Sequence, residues 1–144
     1  MESTFAKQIA LIEKGYLPPK VLTGNLNSIR TIADVRDAVR AYFLLVTSQE
    51  IPSGAVFNIG GEFTTSVRSI LEKLISLSFR ENISHEVDSS RIRPIDADLQ
   101  IPDTTAFKKY TKWEPKYSFD QTMRDLLDYW RELVDKNGNV YLQR

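Results

Sequence analysis

Two short segments carry the residues of this chain best suited to gripping an anion. The first is Gly24 to Tyr42, GNLNSIRTIADVRDAVRAY, and the second is Arg91-Ile92-Arg93-Pro94-Ile95-Asp96. Arginine presents a planar fork of donors that can hold two phosphate oxygens at once. Arg30 stands in an extended stretch ahead of a helix, with Asn25 upstream and Asp34 downstream. Arg91 and Arg93 alternate in an extended loop and so point to opposite sides. Pro94 stiffens the backbone after Arg93. Asp96 follows three residues beyond Arg93, a carboxylate able to accept both hydroxyls of a ribose. A glycine turn, separated arginines and a carboxylate are the chemistry that holds a nucleotide by its diphosphate and its sugar. Each feature also has a plainer reading. Arg30 can be a surface arginine paired with Asp34 or Asp37, and residues 91–96 a solvated charged loop.

The elements that must position these residues follow from periodicity. Ser3 or Thr4 caps a first helix to about Lys14, with Phe5, Ile9 and Ile12 on one side and Gly15 as its stop. Tyr16-Leu17-Pro18-Pro19 is a stiff extended connection. Val21-Leu22 is a short strand ended by Gly24-Asn25, and Ser28 to Ile32 is again extended. From Asp34 a helix runs to Val46, with Val35, Val39, Tyr42, Phe43 and Val46 predicted on its inner face. Ala55 to Ile59 is apolar on both faces, as expected of a central strand in a larger sheet, and the chain offers few neighbours for it. Thr65 or Ser66 opens a helix through Leu77. Ile83 to Val87 is a strand, and Ser89 to Pro102 a long loop. Asp103 caps a short helix to Tyr110, broken by Trp113-Glu114-Pro115. Ser118 and Gln121 form a capping box for a last helix that Gly138 ends. Alternating strands and helices predict an α/β protein with few short strands and four to five helices.

Composition excludes several classes of function. The 144 residues fit a single domain, 1–144, with 42% hydrophobic and 26% charged residues. Nineteen basic and nineteen acidic side chains cancel, which gives no reason to expect nucleic acid or an anionic membrane as partner. With no cysteine and a single histidine, disulfides and thiolate or multi-histidine metal sites are out. His85 reads as structural. MESTFAKQIA lacks the basic leader and apolar run of a signal peptide, and a cytoplasmic location is expected. Tyr16 and Lys20 have the Y-x-x-x-K spacing of a catalytic pair. Pro18 and Pro19 between them forbid the helix that would align the two side chains. The Asp34, Arg36, Asp37 and Arg40 set has the spacing of surface ion pairs. Trp113 and Trp130 read as core or interface anchors.

As an ordered set, several blocks resemble the extended short-chain dehydrogenases that act on nucleotide sugars. They are Phe5-Ala6-Lys7-Gln8-Ile9, GNLNSIRTIADVRDAVRAY, Phe57-Asn58-Ile59-Gly60-Gly61, RIRPIDADLQ, Trp113-Glu114-Pro115 and Leu126 to Arg131. Within that family the likeness is to GDP-mannose 4,6-dehydratase and GDP-4-keto-6-deoxymannose reductase, and only to the C-terminal part of such an enzyme. The resemblance implies substrate contacts from Arg30 and Arg93 to the diphosphate and from Asp96 to the ribose. It also implies contacts from Lys7, Gln8 and Asn25 near the nucleotide. Thr31 and Ile32 depart from the acidic and aromatic residues usual after the first arginine. The N-terminal dinucleotide-binding domain, with its GxxGxxG loop and its Ser/Thr-Tyr-Lys catalytic set, is absent from this sequence.

The expected function is therefore a substrate-binding portion, silent alone and holding no cofactor. NADP or NAD would act in the complete enzyme. A UDP- or dTDP-sugar epimerase or dehydratase is an alternative. From another class, the alternative is an association domain that pairs with a separate Rossmann half or with itself. The central-looking strand predicts self-association.

Overall fold

Helix α1 (Glu2–Glu13) buries almost its whole circumference, from Phe5 and Ala6 through Ile9, Ala10, Leu11 and Ile12. It ends at Gly15, which takes a positive φ of 77° that a side chain would disfavour. The structure is a computed structural model and describes residues 1–92 and 98–138. After α1 come β1 (Lys20–Thr23), β2 (Ile29–Ile32), α2 (Val35–Thr47), β3 (Phe63–Ser66) and α3 (Val67–Ser76). Then follow β4 (Ser84–Val87), a 3-10 turn (Ser89–Arg91), β5 (Leu99–Gln100), α4 (Thr105–Thr111) and α5 (Phe119–Asn137). The fold is α/β, with five α-helices and short strands among the described residues. None of the described helices is long and apolar enough to cross a membrane.

The described residues fall into two compact units. The first comprises residues 1–28, 66–92 and 123–138. In it β1 and β4 pair in parallel, Lys20 opposite Ser84 through Thr23 opposite Val87. Val67, Ile70, Leu71 and Leu74 of α3 and Met123, Leu127 and Val134 of α5 are buried in the same unit, with Val134 packed on Ala10 and Leu11 of α1. Ser66 caps α3 by accepting from the Ser69 N–H at 3.0 Å. Trp130 packs against Ala10, Leu11 and Val134, and its indole N–H donates to the Ser3 hydroxyl at 2.9 Å. A charged pair stabilises the same core. Glu13, 1% exposed at its side chain, receives Arg131 through Nε at 2.8 Å and Nη2 at 2.7 Å. The same guanidinium donates to the Leu77 carbonyl at 3.0 Å. Glu13 first, then Asp128, raises the Arg131 pKa further above its ordinary value.

The second unit comprises residues 29–65 and 98–122. Its strands order as β3-β2-β5, with β2 and β5 parallel and Arg30 opposite Gln100. Its core is Ala41, Phe107 and Trp113, with Leu44, Leu45, Phe57 and Ile59 packed against them. Two expectations fail here. The face of α2 carrying Val35, Val39, Tyr42, Phe43 and Val46 is exposed, and the buried positions are Asp37 and Ala41. Small Ala41 lets the large rings of Phe107 and Trp113 reach the helix, and Asp37 is drawn inward by donors described below. Ala55 to Ile59, expected as a strand, joins no ladder among the described residues. Phe57 and Ile59 turn into the core, while Val56 is 94% exposed. Within the expected loop from Ser89 to Pro102, the structure forms the 3-10 turn and β5.

Candidate functional site

Because β1 and β4 are parallel and in register, their carboxyl ends lie side by side. Asp88 N–H donates to the Thr23 carbonyl at 2.8 Å and prolongs the pairing past β4. From these ends the chain enters Gly24-Asn25 on one side and, on the other, the 3-10 turn that leads to Arg93. In open α/β sheets ligands collect beyond the carboxyl ends of parallel strands. The two segments singled out for their chemistry thus leave neighbouring strands at the end where binding is expected. Gly24 is needed for this approach. A Cβ built on it would stand 2.6 Å from the Arg91 carbonyl oxygen, inside van der Waals contact with backbone.

Side chains fix both segments. Asn25 Oδ1 accepts from the Asn27 N–H at 2.9 Å, and its Nδ2 donates to the Ser28 hydroxyl at 2.9 Å. The Leu26 and Ser28 carbonyls receive the Arg68 and Val67 N–H groups, each at 3.0 Å, so the turn is tied to the first residues of α3. Asp88 accepts from Ser90 through its N–H at 3.0 Å and its hydroxyl at 2.7 Å, and from Arg91 Nε at 3.1 Å. Ser90 chiefly, with help from Arg91, holds the Asp88 carboxyl below its ordinary pKa. Arg91 therefore lies in a 3-10 turn, which corrects the extended alternation with Arg93.

The remaining site residues are placed as follows. Gln8, on α1, accepts from the Leu22 N–H at 2.9 Å and donates to the Leu22 carbonyl at 3.0 Å. That pairing holds α1 against β1, and Lys7 is its half-buried neighbour in the sequence. Gln8, Asn25 and Lys7 all belong to the first unit. Arg30 belongs to the second, in β2, where its Nη1 donates to the Ile29 carbonyl at 2.8 Å. Arg93 and Asp96 lie outside the described residues.

The second unit has a concavity of about 420 Å3 between Ile32, Phe63, Trp113 and Phe119, with Asp34 and Asp37 in its wall. Both carboxylates are already engaged. Asp34 caps α2 and binds Arg36 in a two-pronged pair, Nε to Oδ1 and Nη2 to Oδ2, each at 2.8 Å. It also accepts from the Thr122 hydroxyl at 2.7 Å. Arg36 chiefly, assisted by Thr122, pulls its pKa from 3.8 down to about 2. Asp37, 1% exposed, accepts from Arg40, from the Lys116 N–H at 3.0 Å to each oxygen, and from the Tyr117 N–H at 3.1 Å. Its own carbonyl accepts from the Trp113 indole at 3.1 Å. The expected ion pairs form, Asp34 with Arg36 and Asp37 with Arg40, but both carboxylates are buried anchors, which corrects their expected place on the surface.

The family model for GDP-mannose 4,6 dehydratase matches residues 1–126. The chain belongs to the GDP-mannose 4,6 dehydratase family. Its relatives include the GDP-6-deoxy-D-mannose reductase of Pseudomonas aeruginosa, 26% identical over 90% of this chain and 41% of that one. The GDP-mannose 4,6 dehydratase of Dictyostelium discoideum is 29% identical over 82% of this chain and 37% of its own. The solved structure of RMD from Pseudomonas aeruginosa complexed with NADPH shares the fold, with TM-score 0.82 and 22% identity. It is matched over 92% of this chain and 43% of its own. The chain thus spans about two-fifths of the length of these relatives.

Within the family-like blocks, the structure separates framework from candidate contacts. The D-V-R-D run and the Trp113-Glu114-Pro115 break are one device, joined through Asp37. Sequence reasoning missed this because alternating acids and bases on a helix look like a solvated face. The signal that could have found it is the pairing of a helix-start acid with a tryptophan-proline turn. Gln8 was found as a candidate contact, but its role as the partner of Leu22 was not legible. A helix glutamine carries no mark of the strand that it will meet.

Proposed function

We infer that this chain is the nucleotide-binding portion of a GDP-sugar 4,6-dehydratase, contributing contacts to the nucleotide and none of the reacting groups. The observation that carries this reading is the juxtaposition of the Gly24-Asn25 turn and the Asp88–Arg91 turn at the carboxyl ends of two parallel strands. A ligand there would meet the Asn25 turn. Independently of that placement, the family resemblance assigns Arg93 and Arg30 to diphosphate oxygens, which a guanidinium fork matches. Asp96 is assigned to the ribose hydroxyls. Lys7 adds positive charge, and Gln8 holds the helix that presents it.

A dinucleotide cofactor is assigned to another domain. The sequence contains no GxxGxxG run. Its one adjacent glycine pair is already used for close packing: a Cβ on Gly61 would lie 1.7 Å from the Ile32 carbonyl, and one on Gly60 2.2 Å from Pro102 Cγ. These glycines serve the core of their own unit and form no cradle. In the complete enzyme NADP or NAD would supply hydride transfer, while this chain binds and orients the sugar nucleotide. A reductase acting on a 4-keto sugar is the second reading, favoured by the Pseudomonas aeruginosa relative.

The test is a titration with GDP-mannose, GDP, UDP, dTDP and NADP, read by saturation-transfer NMR. Guanine nucleotides should bind, weakly, and NADP should not. Arg93→Ala should weaken GDP-mannose by about 1.5–3 kcal/mol with unchanged melting, the range for a hydrogen bond to a charged group. Substantial NADP affinity, or indifference of the nucleotide to Arg93→Ala, refutes the reading.

A further inference from the structure

The turn of residues 24–28 is held from two directions by the backbone of an arginine. The Leu26 carbonyl accepts from the Arg68 N–H at 3.0 Å, in the first turn of α3. Gly24 packs so closely on the Arg91 carbonyl that a Cβ at position 24 would come within 2.6 Å of its oxygen. All three segments belong to the first unit. Neither guanidinium is consumed by the fold. Arg91 gives Nε to Asp88 at 3.1 Å, and its two Nη groups have no partner among the described residues. Its side chain is 39% exposed. Arg68 is exposed too, and its guanidinium has no partner among the described residues. The main-chain donors beside them are spent. Val67 and Arg68 N–H groups donate to the Ser28 and Leu26 carbonyls, and the Ser69 N–H donates to Ser66 Oγ. An anion arriving at this turn is therefore met by side chains and not by the end of the helix. Residues 24–28, 66–71 and 88–92 together hold two arginines and one acid, Asp88. The fixed backbones lessen the freedom that each arginine must give up on meeting a ligand.

We propose that Arg68 and Arg91 form a two-guanidinium clamp for a diphosphate at the Gly24–Ser28 turn. A guanidinium fork matches two oxygens of one phosphoryl group, and a diphosphate presents two such groups in series. Arg91 acts through its Nη edge, because Asp88 occupies Nε. That pair leaves the cation in place while fixing one end of its fork. Lysine at position 91 would keep the charge and lose the fork, and so would recover only part of the grip. The clamp rests on the reading of this turn as a nucleotide site, and it adds two residues that the family resemblance leaves unassigned. It requires nothing of Arg30, which lies in the second unit, or of Arg93.

The test is an NMR titration of the purified chain with inorganic pyrophosphate, GDP, guanosine and sulfate. It follows the arginine Nε–H resonances, with those of residues 68 and 91 identified by their loss in Arg68→Lys and Arg91→Lys. Pyrophosphate and GDP should move both resonances, and guanosine, which has no phosphate, should move neither. Arg68→Ala and Arg91→Ala should each weaken pyrophosphate and GDP by about tenfold, the lower end for a hydrogen bond to a charged group. Melting should stay unchanged, since both side chains are exposed, and Arg91→Lys should fall between wild type and Arg91→Ala. The clamp is overturned if either alanine variant binds both anions as wild type does, or if sulfate moves the resonances as far as pyrophosphate at equal concentration. GDP held equally by wild type and both variants overturns the clamp and leaves the nucleotide reading standing. Pyrophosphate held by wild type and lost from the variants, with GDP binding no tighter, supports the clamp and overturns the guanine-nucleotide reading. No response to either anion overturns both.

Discussion

Asp37→Ala should be among the most damaging single changes in the second unit. The carboxylate accepts the Lys116 N–H at 3.0 Å to each oxygen and the Tyr117 N–H at 3.1 Å, and it pairs with Arg40. Arg40 is 32% exposed at its side chain and can turn to water, so its loss costs little. Lys116 and Tyr117 are exposed residues, so water can take over part of the bonding of their N–H groups. A hydrogen bond to a charged group is worth about 1.5–3 kcal/mol. Two such donors, with partial replacement by water, give a loss of about 2–4 kcal/mol. Asparagine keeps one acceptor oxygen and should cost only about 1–2 kcal/mol. Urea unfolding followed by circular dichroism measures both, with Trp113 fluorescence reporting the local loop. An unchanged slope with a lower midpoint is expected. An alanine variant within about 0.5 kcal/mol of wild type, the range of an ordinary surface change, would refute the anchoring role of Asp37.

Two further outcomes are expected. The folded-state pKa of Asp34 lies below its ordinary 3.8, at about 2, so its stabilisation is present above 3.8 and is lost as pH falls through that interval. The stability gap between wild type and Asp34→Asn, measured by urea unfolding, should therefore be widest near neutrality and shrink toward pH 2; a gap that grows on acidification contradicts the assignment. Gly24→Ala places a Cβ 2.6 Å from the Arg91 carbonyl and should cost about 1–3 kcal/mol by overpacking, with weaker GDP-mannose binding. A variant that matches wild type in melting and titration would show that the two turns do not constrain each other.

Local chemistry was legible at several positions, though not at Ser3 or Thr4, which lie inside α1 behind the Met1 cap, nor at Asp103, which precedes the Thr104 cap of α4. Gly15 stops α1, Asp34 and Ser66 cap their helices, and Gln121 N–H donates to Ser118 at 3.2 Å as the capping box requires. Buried Trp113 agrees with its reading as a core anchor. What was not legible is which side of an element meets a neighbour. Hydrophobic spacing on α2 points to Val35, Val39, Tyr42, Phe43 and Val46, yet the core takes Ala41 and Asp37, because Trp113 and the 116–117 backbone supply their partners from far along the chain. The apolar run at 55–59 was recognised as wanting neighbours, and no periodicity could show that the described residues would leave it unpaired. Of the candidate site, the placement of Asn25 at a strand end follows from the glycine turn. The adjacency of that turn to the Asp88–Arg91 turn is a product of β1–β4 register, which no single segment encodes.

The bond between Gln8 and Leu22 has a consequence for how this protein avoids the wrong company. Thr23 offers its carbonyl toward β4, so the alternation of a strand turns the N–H and C=O of Leu22 to β1's other side. That side is where a foreign strand would attach. Gln8 fills it with a side-chain amide, which imitates one residue of a neighbouring strand by giving a donor and an acceptor together. A carboxamide carries the donor and the acceptor on two neighbouring atoms, as a peptide group does. A carboxylate at position 8 has no hydrogen to give, and an ammonium has no lone pair. Glutamate at that position would leave the Leu22 carbonyl without its donor, and lysine would leave the Leu22 N–H without its acceptor, on the side of β1 away from β4.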